Sequence, residues 1–265
     1  MTDLALRDIS WLLFYALVLG AWAALYLMAL GSGAIAWGGP GALAEALATL
    51  CTGTGAGGAG LLGLWTMWAV MGAAMMLPTL LPMLSTYSGF AGRLQGGQAG
   101  WWGIVAGYAL VWASFAVLAA LVQAGLARVG LVDRFGAATA VWFQAGLLIV
   151  AGGYQLSKAK THCQSACLSP MSYFMGRFRP GLAGGVRMGI EQGLWCVGCC
   201  WAIMALGFAG GVMNLAWMGL ATLFMVLEKL PQIGARLRRP AGVILVLAGL
   251  ALMAFEIGKA GAIWL

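Results

Sequence analysis

Long, uninterrupted apolar runs are the feature that most restricts how this chain can fold. Several of them approach or exceed the roughly 20 apolar residues that an α-helix needs to cross a bilayer. Only 8% of the 265 residues are charged, whereas a soluble domain carries about 25%. Strands of a membrane β-barrel would alternate apolar and polar residues, and these runs do not alternate. The sequence therefore predicts an all-α fold, a polytopic integral membrane helical bundle forming a single transmembrane domain over residues 1–265.

Seven membrane-spanning helices account for the apolar runs, and six remain possible because the sixth run is short. The predicted spans are, approximately, residues 10–30, 61–85, 100–125, 138–157, 193–212, 215–230 and 242–259. Ala34-Ile35-Ala36 fits the small-x-small pattern of a signal-peptidase site. The apolar run that precedes them is longer than the core of a signal peptide, so we expect an uncleaved first helix.

Positive side chains are distributed unevenly between the predicted loops. With a cytoplasmic N-terminus, 11 of the 14 Lys and Arg residues face the cytoplasm, and Arg128, Arg134 and Lys259 face the other side. Cytoplasmic loops carry the excess of positive charge, which favours an N-in, C-out, multi-pass protein of a plasma membrane or cell inner membrane. The formal charge of +7 then needs no nucleic-acid partner. Membrane lipids are the expected partners, and anionic head groups suit the basic segment 236–239.

A cluster of sulfur-bearing residues distinguishes the predicted helix 193–217. These residues are Cys196, Cys199, Cys200, Met204 and Met213. On a helix the three thiols fall within an arc of about 100°, and Met204 extends that arc by one turn. Soft sulfur ligands suit Cu(I) before other biological metals. The pattern predicts a Cu(I) site on this helix.

A methionine stripe marks the second predicted span. Met67, Met71 and Met75 recur every four residues and so share one helix face. Pro78 and Pro82 follow and are expected to kink the helix. One such stripe is ordinary packing material. Because a three-cysteine helix is present, we consider Met71 and Met75 as candidate metal ligands.

Two more cysteines lie between the fourth and fifth predicted spans, in a cytoplasmic loop predicted over residues 158–192. Cys163 and Cys167 are four residues apart and would share a face if the segment were helical. On the chosen orientation, all five thiols converge at the inner membrane surface, where a reducing cytosol keeps them unoxidised. The neighbours expected to favour thiolate are Lys158, Lys160 and His162. The remaining cysteine, Cys51, is interpreted as an ordinary small residue.

Charges and glycines within the spans have structural interpretations. Glu228 and Lys229 are predicted to be interfacial anchors, and Glu256 is predicted to pair with Lys259. Glycines four residues apart predict close packing between helices. The sets are Gly103/Gly107, Gly185/Gly189/Gly193 and Gly207/Gly211.

Two other interpretations of the thiols remain. Cys163 and Cys167, together with Cys196 and Cys199, supply four thiolates, which would suit a structural zinc in an assembly subunit of a membrane complex. The C-x-x-C pair would alternatively suit a membrane thiol–disulfide oxidoreductase. The sequence shows no thioredoxin-like alternation of strands and helices, no hydrolase triad and no phosphate-binding loop. We therefore expect a protein without enzymatic activity.

Three blocks of residues carry a resemblance to a known family. One is Trp65–Pro82 with Met71 and Ala74-Met75-Met76-Leu77-Pro78; another is Lys160, Cys163, Cys167 and Pro170; the last is Gly193–Lys229 with Gly198-Cys199-Cys200-Trp201, Met204 and Met213-Asn214-Leu215. The chain resembles the predicted metal-binding integral membrane proteins that include the membrane copper chaperone encoded beside bacterial tyrosinases. Gln164 and Leu168 depart from the pattern, since that family tends to carry a hydrophobic residue and Arg there.

The resemblance implies a helical membrane protein that handles copper for a partner cuproenzyme. Combined with the cysteine cluster, it leads to the hypothesis of Cu(I) capture and delivery by a copper chaperone. The five thiols would capture the ion on the cytoplasmic side. Thioethers of Met71, Met75, Met204 and Met213 would hold it more weakly along an outward path, because a transfer site must also release its ion.

Overall fold

A computed structural model describes residues 2–31, 58–91, 97–133, 135–168, 170–230 and 232–262. Within these ranges the chain is helical apart from turns, short connections and an isolated bridge between Val132 and Ala138, which confirms the all-α class. The helices are α1 (Thr2–Gly31), α2 (Gly58–Met76), α3 (Leu81–Ala91), α4 (Gly97–Arg128), α5 (Val141–Leu156), α6 (Lys158–Leu168), α7 (Pro170–Arg177), α8 (Gly181–Ala205), α9 (Gly207–Gly210), α10 (Leu215–Glu228) and α11 (Gly234–Ala262). A 3₁₀ turn, Pro78–Leu80, joins α2 to α3. Cys51 and Arg134 lie outside the described residues.

Five helical segments of the described chain are long and apolar enough to cross a membrane, which is consistent with a membrane protein. They are Asp8–Gly31, Gly60–Gly89, Gly97–Arg128, Gly181–Gly210 and Gly234–Lys259. The apolar helices α5 and α10 contain 16 and 14 residues, fewer than a full crossing needs. Counting both would give seven spans. That number and the N-in, C-out orientation stay predictions.

The helix that carries the thiols differs in both bounds from the predicted one. It begins at Gly181 rather than at residue 193, and the charged residues Arg187 and Glu191 lie within it and pair on its surface at 3.4 Å. The prediction of one helix over 193–217 is wrong, whereas the boundary predicted between the spans 193–212 and 215–230 agrees with a helix that begins at Leu215. Gly211, with a φ of +87°, turns the chain after α9. Asn214 then caps α10 by accepting a hydrogen bond from the amide of Trp217 at 3.1 Å.

The segment predicted as a loop over residues 158–192 is largely helical. It contains α6, α7 and the first turns of α8. Cys163 and Cys167 therefore lie one turn apart on a helix, as their spacing allowed. The cytoplasmic location of this segment stays a prediction.

The described helices group into two compact units. The first contains Met1–Ala120 and Ala166–Val197, and the second contains Leu121–Ser165 and Gly198–Leu265. Helices α4, α6 and α8 contribute residues to both units.

In the first unit, α4 and α8 pack with their backbones in contact. A Cβ atom at Gly107 would overlap the carbonyl oxygen of Val186, and one at Gly189 would overlap the carbonyl oxygen of Ile104. Gly103 and Gly185 show the same relation to the opposite helix. The predicted packing role of these two glycine pairs is confirmed. Gly207 and Gly211 form no such pair, because Gly211 lies in the turn after α9.

In the second unit, α5 packs closely on α11. A Cβ atom at Gly152 would lie 2.7 Å from the carbonyl oxygen of Gly242, and one at Gly249 would lie 2.8 Å from that of Ala145. Helix α11 begins at Gly234, earlier than the predicted residue 242, and it includes Pro240. Glu256 and Lys259 pair at 3.7 Å, as predicted.

We expect Gly107→Ala to destabilise the first unit, because its methyl group would overlap the backbone of α8. Overpacking of this kind costs about 1–3 kcal/mol. Gly125→Ala is the matched control on the same helix, since no heavy atom lies within 4 Å of its Cβ position, and it should be neutral or stabilising by up to about 1 kcal/mol. Thermal unfolding in detergent, followed by circular dichroism, measures both. Equal losses would contradict the packing described.

Candidate metal centre

Three thiols meet on one face of α8. The Sγ atoms of Cys196, Cys199 and Cys200 all lie within 4.8 Å of one another, and those of Cys199 and Cys200 are 3.3 Å apart. The three residues belong to one continuous helix, so its backbone fixes their spacing at i, i+3 and i+4. All three side chains are at least 97% buried. All five described cysteines are thiols rather than disulfides.

The spacing of these sulfur atoms suits a single small metal ion. An ion in the plane of three thiolates, with bonds of about 2.3 Å as for zinc, separates the sulfur atoms by about 4 Å. The observed separations are within about 1 Å of that arrangement. In the part of the chain that the structure describes, this is the only group of three or more His, Cys, Asp or Glu side chains that could hold an ion. Its donors are all soft, which favours Cu(I).

Two hydroxyl groups of the first unit reach the sulfur of Cys196. The Tyr108 hydroxyl, on α4, lies 2.9 Å from Sγ, and the Thr79 hydroxyl, in the 3₁₀ turn, lies 3.9 Å from it. The two hydroxyl oxygens are 3.0 Å apart. The first thiol of the cluster is therefore held in a small polar pocket within apolar surroundings.

Pro78 interrupts the second predicted span beside Thr79, whose hydroxyl lies near the sulfur of Cys196. Pro78 has no amide hydrogen to give to the carbonyl of Ala74, and the indole Nε1 of Trp22 donates to that carbonyl at 3.0 Å instead. In an α-helix the amide of Leu80 would donate to the carbonyl of Met76. In the tighter 3₁₀ turn it donates to the carbonyl of Leu77 instead, so the carbonyl of Met76 accepts hydrogen bonds from side chains. The kink expected at the prolines corresponds to a 3₁₀ turn that interrupts the α-helix at Pro78, and the freed carbonyls have partners.

The predicted methionine ligands lie in three different places. Met71 and Met75 are buried on α2, the helix that ends at Met76. Met204 is buried on α8, four residues beyond Cys200 and therefore on the same helix face. Met213 is buried in the turn between α9 and α10, not on the helix of the thiols as predicted. A ligand role for these four side chains stays a prediction.

Cys163 and Cys167 each lie beside a residue of α8 outside the three-thiol cluster. A Cβ atom at Gly198 would lie 2.9 Å from the sulfur of Cys163, so glycine is what lets this half-buried thiol approach the helix. Cys167 is buried, and its sulfur accepts a hydrogen bond from Gln192 Nε2 at 3.6 Å. That all five thiols share one ion stays a prediction.

A buried ion pair in the second unit touches the backbone of the thiol helix. The amine of Lys160 is 2.9 Å from Glu228 Oε2 and also donates a hydrogen bond to the carbonyl of Cys199. Burial by itself would lower the pKa of this amine, and the acidic side chains around it, led by Cys200, raise it above its ordinary value. The prediction that Glu228 and Lys229 are interfacial anchors is wrong, since both residues are buried within the protein.

Several polar residues around the thiols were missed by sequence reasoning. Gln155 donates to Glu228 Oε1, and Gln164 Nε2 donates to the carbonyl of Glu228 at 2.8 Å. Thr79 and Tyr108 were missed as well. The available signal was a polar side chain inside or next to an apolar run, because such a group needs a partner when buried.

The copper chaperone family PpoB2 matches residues 65–252, more than half of the chain. The chain belongs to this copper chaperone family. The match includes all five cysteines described above, and it confirms the family resemblance drawn from the motifs. Comparisons with curated proteins and with solved structures found no match. Membership supports a copper-handling role, suggests a protein without enzymatic turnover, and implies a cuproenzyme partner in general.

We expect Lys160→Met to destabilise this copper chaperone by about 3–5 kcal/mol, because it leaves the Glu228 carboxylate buried without its cation. The double variant Lys160→Met/Glu228→Leu should recover most of the loss. Lys259→Met is the control, since its pair with Glu256 is exposed and should contribute about 1 kcal/mol or less. Unfolding by denaturant in detergent measures each free energy. A double variant no more stable than Lys160→Met would contradict a coupled pair.

Proposed function

We propose that this protein captures Cu(I) through the thiols of α8 and delivers it to a partner cuproenzyme. The observation that carries the proposal is the three-thiol cluster, with sulfur atoms within 4.8 Å of one another, in a member of a copper chaperone family. The four other predicted transfer ligands are thioethers, which bind Cu(I) more weakly than thiolates and so favour release.

The number of donors supports copper over structural zinc. A structural zinc site is almost always closed by four protein ligands, and the cluster supplies three. Cu(I) is satisfied by fewer, softer ligands, so three thiolates hold it without a fourth partner. A resident structural metal would also suit an assembly subunit, and zinc binding is therefore one arm of the test below.

Burial disfavours the redox alternative. Thiol–disulfide exchange needs a thiolate that a partner disulfide can reach. Cys196 and Cys199 are 0% and 3% exposed, so a protein disulfide has no direct access to the C-x-x-C pair. A single small ion needs a much narrower path than a partner protein does.

The remaining sulfur residues provide a route to and from the cluster. Cys163, half-buried against Gly198, would receive the ion first, with Cys167 beside it on α6. Met204 would take the ion one turn beyond Cys200, and Met213, Met71 and Met75 would hold it on the outward path. This direction assumes the N-in, C-out orientation with seven spans in a plasma or inner membrane. It also fits the need for a transfer site to bind weakly enough to release.

The test of capture compares two sets of cysteine variants loaded with Cu(I) under reducing conditions. Cys196→Ser/Cys199→Ser/Cys200→Ser should lose one tightly bound copper per chain, measured by elemental analysis after removal of excess metal. Cys163→Ser/Cys167→Ser, the matched control on α6, should keep that copper and load it more slowly. Equal copper content in the triple variant and the unaltered protein would contradict the proposal. Zinc that is retained until unfolding would favour the structural alternative.

The test of delivery uses Met71→Leu/Met75→Leu, a change that conserves side-chain volume. Copper content should be unchanged, and release of Cu(I) to a chelator on the opposite side of a proteoliposome should slow at least severalfold. Met28→Leu/Met225→Leu is the control, since both methionines are buried in the described chain and neither is a proposed ligand. Equal release rates from all three proteins would contradict a thioether path.

A further inference from the structure

The first unit places two buried hydroxyl groups beside one thiol of the metal cluster. Thr79 and Tyr108 are 4% and 1% exposed, and both hydroxyls lie within 4 Å of the sulfur of Cys196. They come from separate parts of the chain, the 3₁₀ turn after α2 and the middle of α4. A sulfur ligand therefore has neighbours that can donate hydrogen bonds to it.

Counting donors and acceptors shows which hydroxyl can serve the sulfur. The carbonyl of Met76 accepts from Thr79 Oγ1 at 2.7 Å and is 3.0 Å from the hydroxyl of Tyr108. The Tyr108 hydroxyl donates to this carbonyl in the structure and also lies 2.9 Å from the sulfur of Cys196. Because the carbonyl keeps its shorter hydrogen bond from Thr79, it is not left without a donor when the Tyr108 hydrogen turns to the sulfur. A sulfur atom bound to a metal carries no hydrogen and can only accept.

The hydroxyl of Tyr108 is fixed in place by the packing of α4 on α8. A Cβ atom at Gly189 would lie 2.9 Å from the amide nitrogen of Tyr108, so the two backbones are in contact at that level. The ring of Trp112 lies beside the Tyr108 ring, with centroids 6.4 Å apart. A donor held this rigidly needs no rearrangement when an ion arrives.

We propose that Tyr108 is a positioning residue for the metal site: its hydroxyl donates a hydrogen bond to the bound sulfur of Cys196, and Thr79 keeps the carbonyl of Met76 hydrogen-bonded when the Tyr108 hydrogen turns from that carbonyl to the sulfur. The pair sets how tightly the site holds Cu(I). This inference rests on the proposed copper function. Partners of metal ligands typically contribute 10–100-fold to metal affinity.

The experiment compares Tyr108→Phe with Tyr87→Phe. Tyr87 is equally buried in the first unit, and its hydroxyl has no hydrogen-bond partner among the described residues, so the control removes the same atom without touching sulfur. Competition with a Cu(I) chelator measures affinity, and the ultraviolet thiolate-to-Cu(I) absorption band reports on the bound sulfur. Tyr108→Phe should bind one copper about tenfold more weakly and shift the band. Tyr87→Phe should change neither.

Thr79→Val provides the second arm. Without the Thr79 hydroxyl, the hydrogen of Tyr108 is drawn to the carbonyl of Met76, so affinity should fall in the same direction as in Tyr108→Phe. The combined variant Tyr108→Phe/Thr79→Val should bind Cu(I) no more weakly than Tyr108→Phe alone, because both changes remove the same hydrogen bond, the one from Tyr108 to the sulfur of Cys196. If Tyr108→Phe fails to fold, Thr79→Val carries the test.

The outcomes separate the two proposals. Normal copper binding in the unaltered protein, with affinity and band unchanged in Tyr108→Phe and Thr79→Val, overturns the role of Tyr108 and leaves the copper function intact. An unaltered protein that binds no Cu(I), or a triple cysteine variant that binds it equally well, overturns both. Fully additive losses in the combined variant overturn the sharing of one hydrogen bond.

Discussion

The backbone contact between α4 and α8 is the interaction on which the candidate site depends. Glycines at 103, 107, 185 and 189 let the two helices approach until a Cβ atom would overlap the opposite backbone. Such contacts bring together helices that lipid would otherwise separate, since small residues permit close van der Waals packing in an apolar medium. The contact also fixes the register. Gly189 lies against Ile104 and Tyr108, and Cys196, about two turns further along α8, has its sulfur 2.9 Å from the Tyr108 hydroxyl.

The interruption of the helix at Pro78, after α2, places polar groups beside the thiol that the α4–α8 contact positions. A regular helix keeps its carbonyls within its own ladder, and Pro78 removes one of the donors. The consequences are local and fully compensated: Trp22 serves Ala74, and Thr79 serves Met76. Because a buried polar atom without a partner costs about 1–3 kcal/mol, these side chains are as necessary to the kink as the proline itself. The kink thereby delivers the Thr79 hydroxyl to the sulfur of Cys196.

Sequence reasoning recovered the parts of the molecule that depend on local pattern. The helical class, the shared face of three cysteines, the proline break and two glycine pairs all follow from spacing along a single segment. It failed where one segment meets another. Glu228 looked like an interfacial anchor because its partner Lys160 is far away in sequence. The predicted spans stop at residue 212 and resume at 215, where α10 begins, but the helix drawn over 193–217 for the sulfur cluster ran through the turn at Gly211 and Asn214, because both resemble ordinary residues of an apolar run. Tyr108 and Thr79 show only that a polar side chain lies within an apolar run, and their shared partner Cys196 is seen only once α4 and α8 are brought together.

Copper K-edge X-ray absorption tests the central claim most directly. The protein would be loaded with one Cu(I) per chain under reducing conditions, and the nearest neighbours of the metal counted by element. Binding by the three thiols of α8 predicts a shell of three sulfur atoms without nitrogen or oxygen. A shell that contains nitrogen or oxygen donors would contradict it, because the cluster that the structure describes offers sulfur alone.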